Sequence, residues 1–150
     1  MANPDSVSQF YLDSFGRARI AIAASTQINT SGNATIAVPF LGGGLTKGLG
    51  TANSGSVIIR HITVVNPSGS LASANISITT SNDGNISNAV VANTVLSSVS
   101  GVNTFQDLPL SGGNVVVSGF NTQALYVNVN TPSGNANTAD IRVYGEVVSF

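Results

Sequence analysis

The chain has 150 residues, a single histidine, no cysteine and a net charge of -1 at pH 7. That composition excludes a disulfide framework, a thiol nucleophile and Cys-ligated zinc, and it leaves no field to steer nucleic acid or an anionic membrane. Hydrophobic residues make up 42% but charged residues only 7%, against about 25% charged in an ordinary globular domain. The length suits one domain with a sizeable core. A surface so poor in charge suits a protein covered by copies of itself or by a larger assembly.

The first stretch, "MANPDSVSQFYLDSFGRARIAIAAS", has no basic start followed by an apolar core and does not read as a signal peptide. No apolar run approaches the ~20 residues that span a bilayer. Phe10, Tyr11, Leu12 and Phe15 sit among polar residues, which predicts an extended arm over residues 1–16. The remainder, 17–150, forms the folded domain. These four side chains are the candidate partner-binding anchors. Arg17 and Arg19 beside Phe15 are too few for a basic nucleic-acid patch.

From residue 17 on, the apolar period is close to two, the signature of strands. Val, Ile and Thr are abundant, while strong helix formers are scarce. The pattern predicts strands at 17–29, 33–40, 56–66, 73–80, 89–97, 102–108, 114–118, 123–131 and 138–148. Short strands with turn clusters every 8–15 residues predict an all-β, antiparallel sandwich or barrel.

Between the second and third strands lies "LGGGLTKGLGTANSGS", residues 41–56. Its Gly42-Gly43-Gly44-Leu45-Thr46-Lys47-Gly48 resembles a phosphate loop only superficially. Lys47 precedes a glycine rather than Ser or Thr, and no helix pattern follows. A surface loop is expected. The third strand, "SVIIRHITVVN", is apolar on both alternating faces. One face carries Val57, Ile59, His61, Thr63 and Val65, and the other Ile58, Arg60, Ile62 and Val64. A sandwich strand should have one wet face, so the outer face is expected to be covered by a loop or a neighbouring subunit.

Two later stretches share punctuation. Pro67, Gly69, Ala74 and Ile76 in "VVNPSGSLASANISI" match the spacing of Pro132, Gly134, Ala139 and Ile141 in "VNVNTPSGNANTADIRV". In each, Pro ends one strand because it cannot donate to a ladder, Ser-Gly turns the chain, and Ala-x-Ile opens the next strand. Convergent hairpin chemistry explains this. So does a structural echo between two halves of a sandwich, with both loops at one end. Asp83-Gly84 is a good tight-turn pair. Asn82, Asp83 and Asn85 around it lack the EF-hand pattern, and a plain turn is expected.

Residues that carry chemistry are few. His61 lies mid-strand among aliphatics, where a packed or interface histidine is expected rather than a catalytic one. Asp107 could meet Glu146 or Asp140 across strands, but nothing in the pattern sets the 5–9 Å spacing of a glycosidase pair, roughly as such pairs require. No catalytic residue, metal site or cofactor is assigned, and no enzyme activity is expected. For sugar binding, Tyr144 on the outward face of the last strand is the one platform available.

The stretches "IIRHITVVNPSGSLASANISITTSNDG", "VVANTVLSSVSGVNTFQDLPL" and "LYVNVNTPSGNANTADIRVYGEVV" resemble small jelly-roll virion proteins of tailed bacteriophages, the capsid decoration (cement) proteins and related head or tail accessory proteins. The resemblance covers roughly residues 57–148 and rests on strand pattern and loop punctuation. It implies a non-enzymatic, jelly-roll-like β-sandwich, a homo-oligomer (a trimer favoured) bound to the major capsid protein on the virion surface after synthesis in the host cytoplasm; the extended N-terminal arm and the Gly-rich loop lie outside it. A carbohydrate- or receptor-binding module of a phage tail or head fibre is the alternative.

Overall fold

The computed structural model describes residues 18–29, 35–39, 55–112, 115–118 and 124–149. Within them the period-two pattern forms β1 (Ala18–Gln27), β2 (Thr35–Pro39), β3 (Gly55–Val65), β4 (Asn75–Thr79), β5 (Ala89–Val95), β6 (Gln106–Asp107), β7 (Val116–Ser118), β8 (Ala124–Thr131) and β9 (Thr138–Ser149). A 3-10 turn at Ile86–Asn88 lies between β4 and β5. Most strands fall within a few residues of the expected spans. The exception is 102–108, where only Gln106 and Asp107 are strand. There the Thr104 amide and hydroxyl both bond the Gly101 carbonyl, and Asn103 takes a φ of 67°, so the chain turns where alternation predicted extension. The Asp83-Gly84 pair is likewise not a tight hairpin but part of the longer 80–88 connection.

The strands form two antiparallel sheets packed as a sandwich. The larger has the order β1-β9-β3-β6, with β7 also on β3, and the smaller has the order β2-β8-β4-β5. The chain passes repeatedly from sheet to sheet, so that β1 pairs with β9 and β2 with β8. This is jelly-roll winding. Between the sheets lies an aliphatic core, with Ile28, Ile59, Ile62, Leu71, Ile76, Ile78, Leu96, Leu125 and Ile141 fully buried. Each such side chain stabilises the fold by about 1.5–3 kcal/mol relative to exposure.

The two apolar faces of β3 have a different cause from the one expected. Ile59 pairs with Gly145, His61 pairs with Tyr144, and Arg60 is the extra residue of a β-bulge. A bulge shifts the side-chain phase by one. Val57 and Ile59 therefore point inward before it, and Ile62 and Val64 point inward after it, all four buried in one core. The bulge brings the Ile58 carbonyl against Gly145. A Cβ there would lie far inside contact with that oxygen and 3.1 Å from both the Ile58 carbonyl carbon and Ile20 Cδ1, so only glycine fits. These four need no external cover, while Ile58 and Val65 stay on the outward face, half-buried.

The two Pro-Ser-Gly loops each cross between the sheets, in opposite senses: β3 to β4, and β8 to β9. Ala74 and Ala139 are both fully buried, as are Ile76 and Ile141. The loops sit at one end of the sandwich and bond each other. The Ser68 amide donates to the Thr138 carbonyl and the Thr138 amide to the Ser68 hydroxyl, each at 2.8 Å. The Asn135 and Asn137 amides both donate to the Ser70 carbonyl, and the Ser73 hydroxyl donates to the Ser133 carbonyl. The matching glycines serve different ends. Gly134 adopts a φ of 78°, whereas a Cβ on Gly69 would meet the Asn137 side chain at 2.5 Å.

Candidate functional site

On the outward face of the larger sheet, β9 presents Asp140, Arg142, Tyr144 and Glu146 beside β3. The Nε2 of His61 lies 2.7 Å from Asp107 Oδ1 on β6. Its ring stacks on Tyr144, with centroids 5.5 Å apart and planes at 24°. His61 thus ties three strands, in keeping with a packed histidine. Tyr144 is only 6% exposed and cannot serve as the sugar platform expected of it. Arg60 and Glu146 pair at 3.5 Å with both side chains about half exposed, an arrangement that contributes at most about 1 kcal/mol.

Asp140 is the best-connected carboxylate of this face. Its Oδ1 accepts from the Ser25 amide at 2.9 Å. Its Oδ2 accepts from the Asn66 amide at 2.9 Å and from Arg142 Nη2 at 3.2 Å. Burial pushes its pKa up, but the Ser25 amide, Asn66 and Arg142 outweigh that and hold the carboxyl below its ordinary value. Ser25 and Asn66 have φ of 50° and 52°. One carboxylate therefore fixes the irregular end of β1 and the exit of β3, both in left-handed backbone.

Among the described residues, Asp107 and Glu146 stand too far apart for the paired-carboxylate spacing. Asp107 is opposite Thr63, which pairs with Arg142, and Glu146 lies four residues further along β9, about 13 Å at roughly 3.3 Å per residue. Asp140 is engaged as described. Asp83 accepts from the Ser81 hydroxyl and the Asn85 amide, in that order of effect, and both hold its pKa below the ordinary value. Asn85 Oδ1 in turn accepts from the Ser87 amide and caps the 3-10 turn. These groups build a turn, and among the described residues no group of three His, Cys, Asp or Glu is placed to hold a metal ion.

At the loop end lies an open groove of about 530 Å³ lined by Val65, Asn66, Pro67, Val102, Asn103, Thr104, Phe105 and Arg142. Phe105 is 61% and Val102 62% exposed. Phe105 is the only phenylalanine among the described residues, and it faces solvent instead of the core. The groove escapes sequence reading because 102–108 alternates like a strand. The turn pair Gly101 and Asn103 was the available signal. The anchors Phe10, Tyr11, Leu12 and Phe15 lie outside the described residues, as do Arg17 and Lys47.

Compared with known proteins, the chain matches no family model, no curated protein and no solved structure significantly.

Proposed function

We infer that the chain is a structural virion protein, a decoration (cement) protein that stabilises a tailed-bacteriophage head by binding its major capsid protein as a homo-oligomer. The observation that carries this reading is how the ionised groups are used. Among the described residues, Asp107 with His61 and Glu146 with Arg60 tie strands of one sheet together, Asp140 joins β9 to Ser25 of β1 and to Asn66 at the exit of β3, and Asp83 shapes a turn. Side chains spent in this way build a durable surface and leave little for general acid–base work. The loop-to-loop hydrogen bonds support the same reading, since a shell fastener must keep its own ends closed. Exposed Ile86, Val95 and Val116 offer apolar area, worth about 25 cal/mol per Å² when covered by a partner.

In this reading the N-terminal arm reaches along the shell, with Phe10, Tyr11, Leu12 and Phe15 as anchors. The test adds purified protein to heads that lack it. Co-sedimentation and a higher temperature of head disruption are expected. Removing residues 1–16 is expected to abolish binding while the core keeps its β-type circular dichroism and cooperative melt. A truncated protein that binds as well as the full chain refutes the arm, and a full chain that never co-sediments refutes the decoration role. Sedimentation equilibrium reads the oligomer number, expected to be three.

A further inference from the structure

We propose that the groove between the β3–β4 loop and the 101–105 turn is a subsite for a neutral saccharide ring. The groove size falls within the roughly 300–1,000 Å³ of small-ligand sites. Its chemistry is two-sided. Phe105 and Val102 supply an apolar floor open to solvent. Asn66 and Asn103 add neutral amides along the rim, while the Thr104 hydroxyl is held by the Gly101 backbone. A pyranose has the same division, a C–H face and a hydroxyl edge. Amides suit that edge because each both donates and accepts.

Two observations favour a neutral ligand. Arg142 is the single charged residue of the lining, and its charge is met by Asp140 at 3.2 Å. No net field therefore draws an anion. The groove is also shallow and half polar, unlike the deep apolar pocket that holds a protein hot-spot side chain. Asn66 and Asn103 both have left-handed φ, 52° and 67°. Asn tolerates that conformation, and Asp140 anchors Asn66 through its amide nitrogen. The Asn66 side chain is thereby held in position before any ligand arrives. The aromatic platform sought at Tyr144 is thus supplied by Phe105, at the end of the sandwich instead of on its sheet face.

This inference does not rest on the virion reading, and head binding and saccharide binding are separate assays. The probe is a panel of immobilised neutral oligosaccharides of hexoses and N-acetylhexosamines, with the full-length protein displayed multivalently. The best-binding oligosaccharide is then titrated calorimetrically against wild type, Phe105→Ala and Asn103→Ala. Both substitutions lie at exposed positions, and a cooperative melt verifies each fold, with a somewhat lower midpoint expected for Asn103→Ala because alanine is disfavoured at a φ of 67°. Binding to at least one neutral oligosaccharide is expected, weakened tenfold or more by Phe105→Ala and severalfold by Asn103→Ala. Absence of binding across the panel overturns the proposal. So does binding confined to acidic glycans on a matched panel, or affinity unchanged in Phe105→Ala.

Discussion

Replacing Gly145 by alanine tests the bulge that rephases β3. The new methyl would lie 3.1 Å from the Ile58 carbonyl carbon and from Ile20 Cδ1, and closer still to the Ile58 oxygen. Carbon atoms rest at about 3.5–4.0 Å, so β3 and β9 must part by roughly 1 Å. Overpacking of this kind costs about 1–3 kcal/mol. The obstacle is backbone in a central strand pair, so ladder hydrogen bonds stretch too, at about 0.5–1.5 kcal/mol each. Reduced freedom of the unfolded chain returns about 0.4–1 kcal/mol. The expected net loss is about 2–4 kcal/mol, which lowers the melting temperature by about 5–12 °C in a chain of this size. Urea unfolding should show a lower midpoint at an unchanged slope. Gly101→Ala is the control, since a Cβ there meets nothing within 4 Å. A Gly145→Ala variant within about 0.5 kcal/mol of wild type would show that the bulge does not press on that site, and the account of β3 would fail.

Asp140→Asn should destabilise the protein by about 1–2 kcal/mol at pH 7, the scale of hydrogen bonds to a charged group. The folded pKa of Asp140 is lowered, so its contribution is present above the unfolded value of about 3.9 and is lost as pH falls through the folded one. The gap between variant and wild type, read by urea midpoints, should therefore be constant above about pH 5 and shrink as pH falls below the unfolded value. A gap that does not change with pH over that range contradicts the charge-based role. Gly69→Ala faces the end of a flexible side chain, Asn137, so it should cost less than Gly145→Ala. In a double-mutant cycle with Asn137→Ala the coupling should be at least about 0.5 kcal/mol, and strict additivity would show that the two loops do not press together there.

What could be read from the sequence followed the range over which its signals act. Val127 and Val129 alternate with Tyr126 and Asn128, and that local rhythm fixes β8 without knowledge of its partners. The same rhythm misleads at Arg60. A period-two reading assumes one phase along a strand, so it assigned Ile58, Ile62 and Val64 to one face and inferred an external cover. The correcting signal lay 85 residues away, in an isolated glycine within "IRVYGEVV", because a strand glycine often marks a bulge or a close backbone approach. Its partner becomes visible only once β3 and β9 are paired.

The candidate groove is hidden for the same reason, more severely. It joins residues 65–67, 102–105 and 142, three segments that meet only because jelly-roll winding sets β9 beside β3 and returns the chain after β5 to β3's other edge. None of the three carries a catalytic or metal-binding signature. What they share is an exposed apolar side chain, neutral amides and an already balanced charge, which is chemistry fit for a weak, reversible ligand. The Pro-Ser-Gly echo is the long-range clue whose two partners both show in the sequence. It marked the end of the sandwich where this groove opens: Asn66 and Pro67 belong both to the repeated loop and to the groove lining, so the loops that fasten the two sheets also form one wall of the proposed subsite.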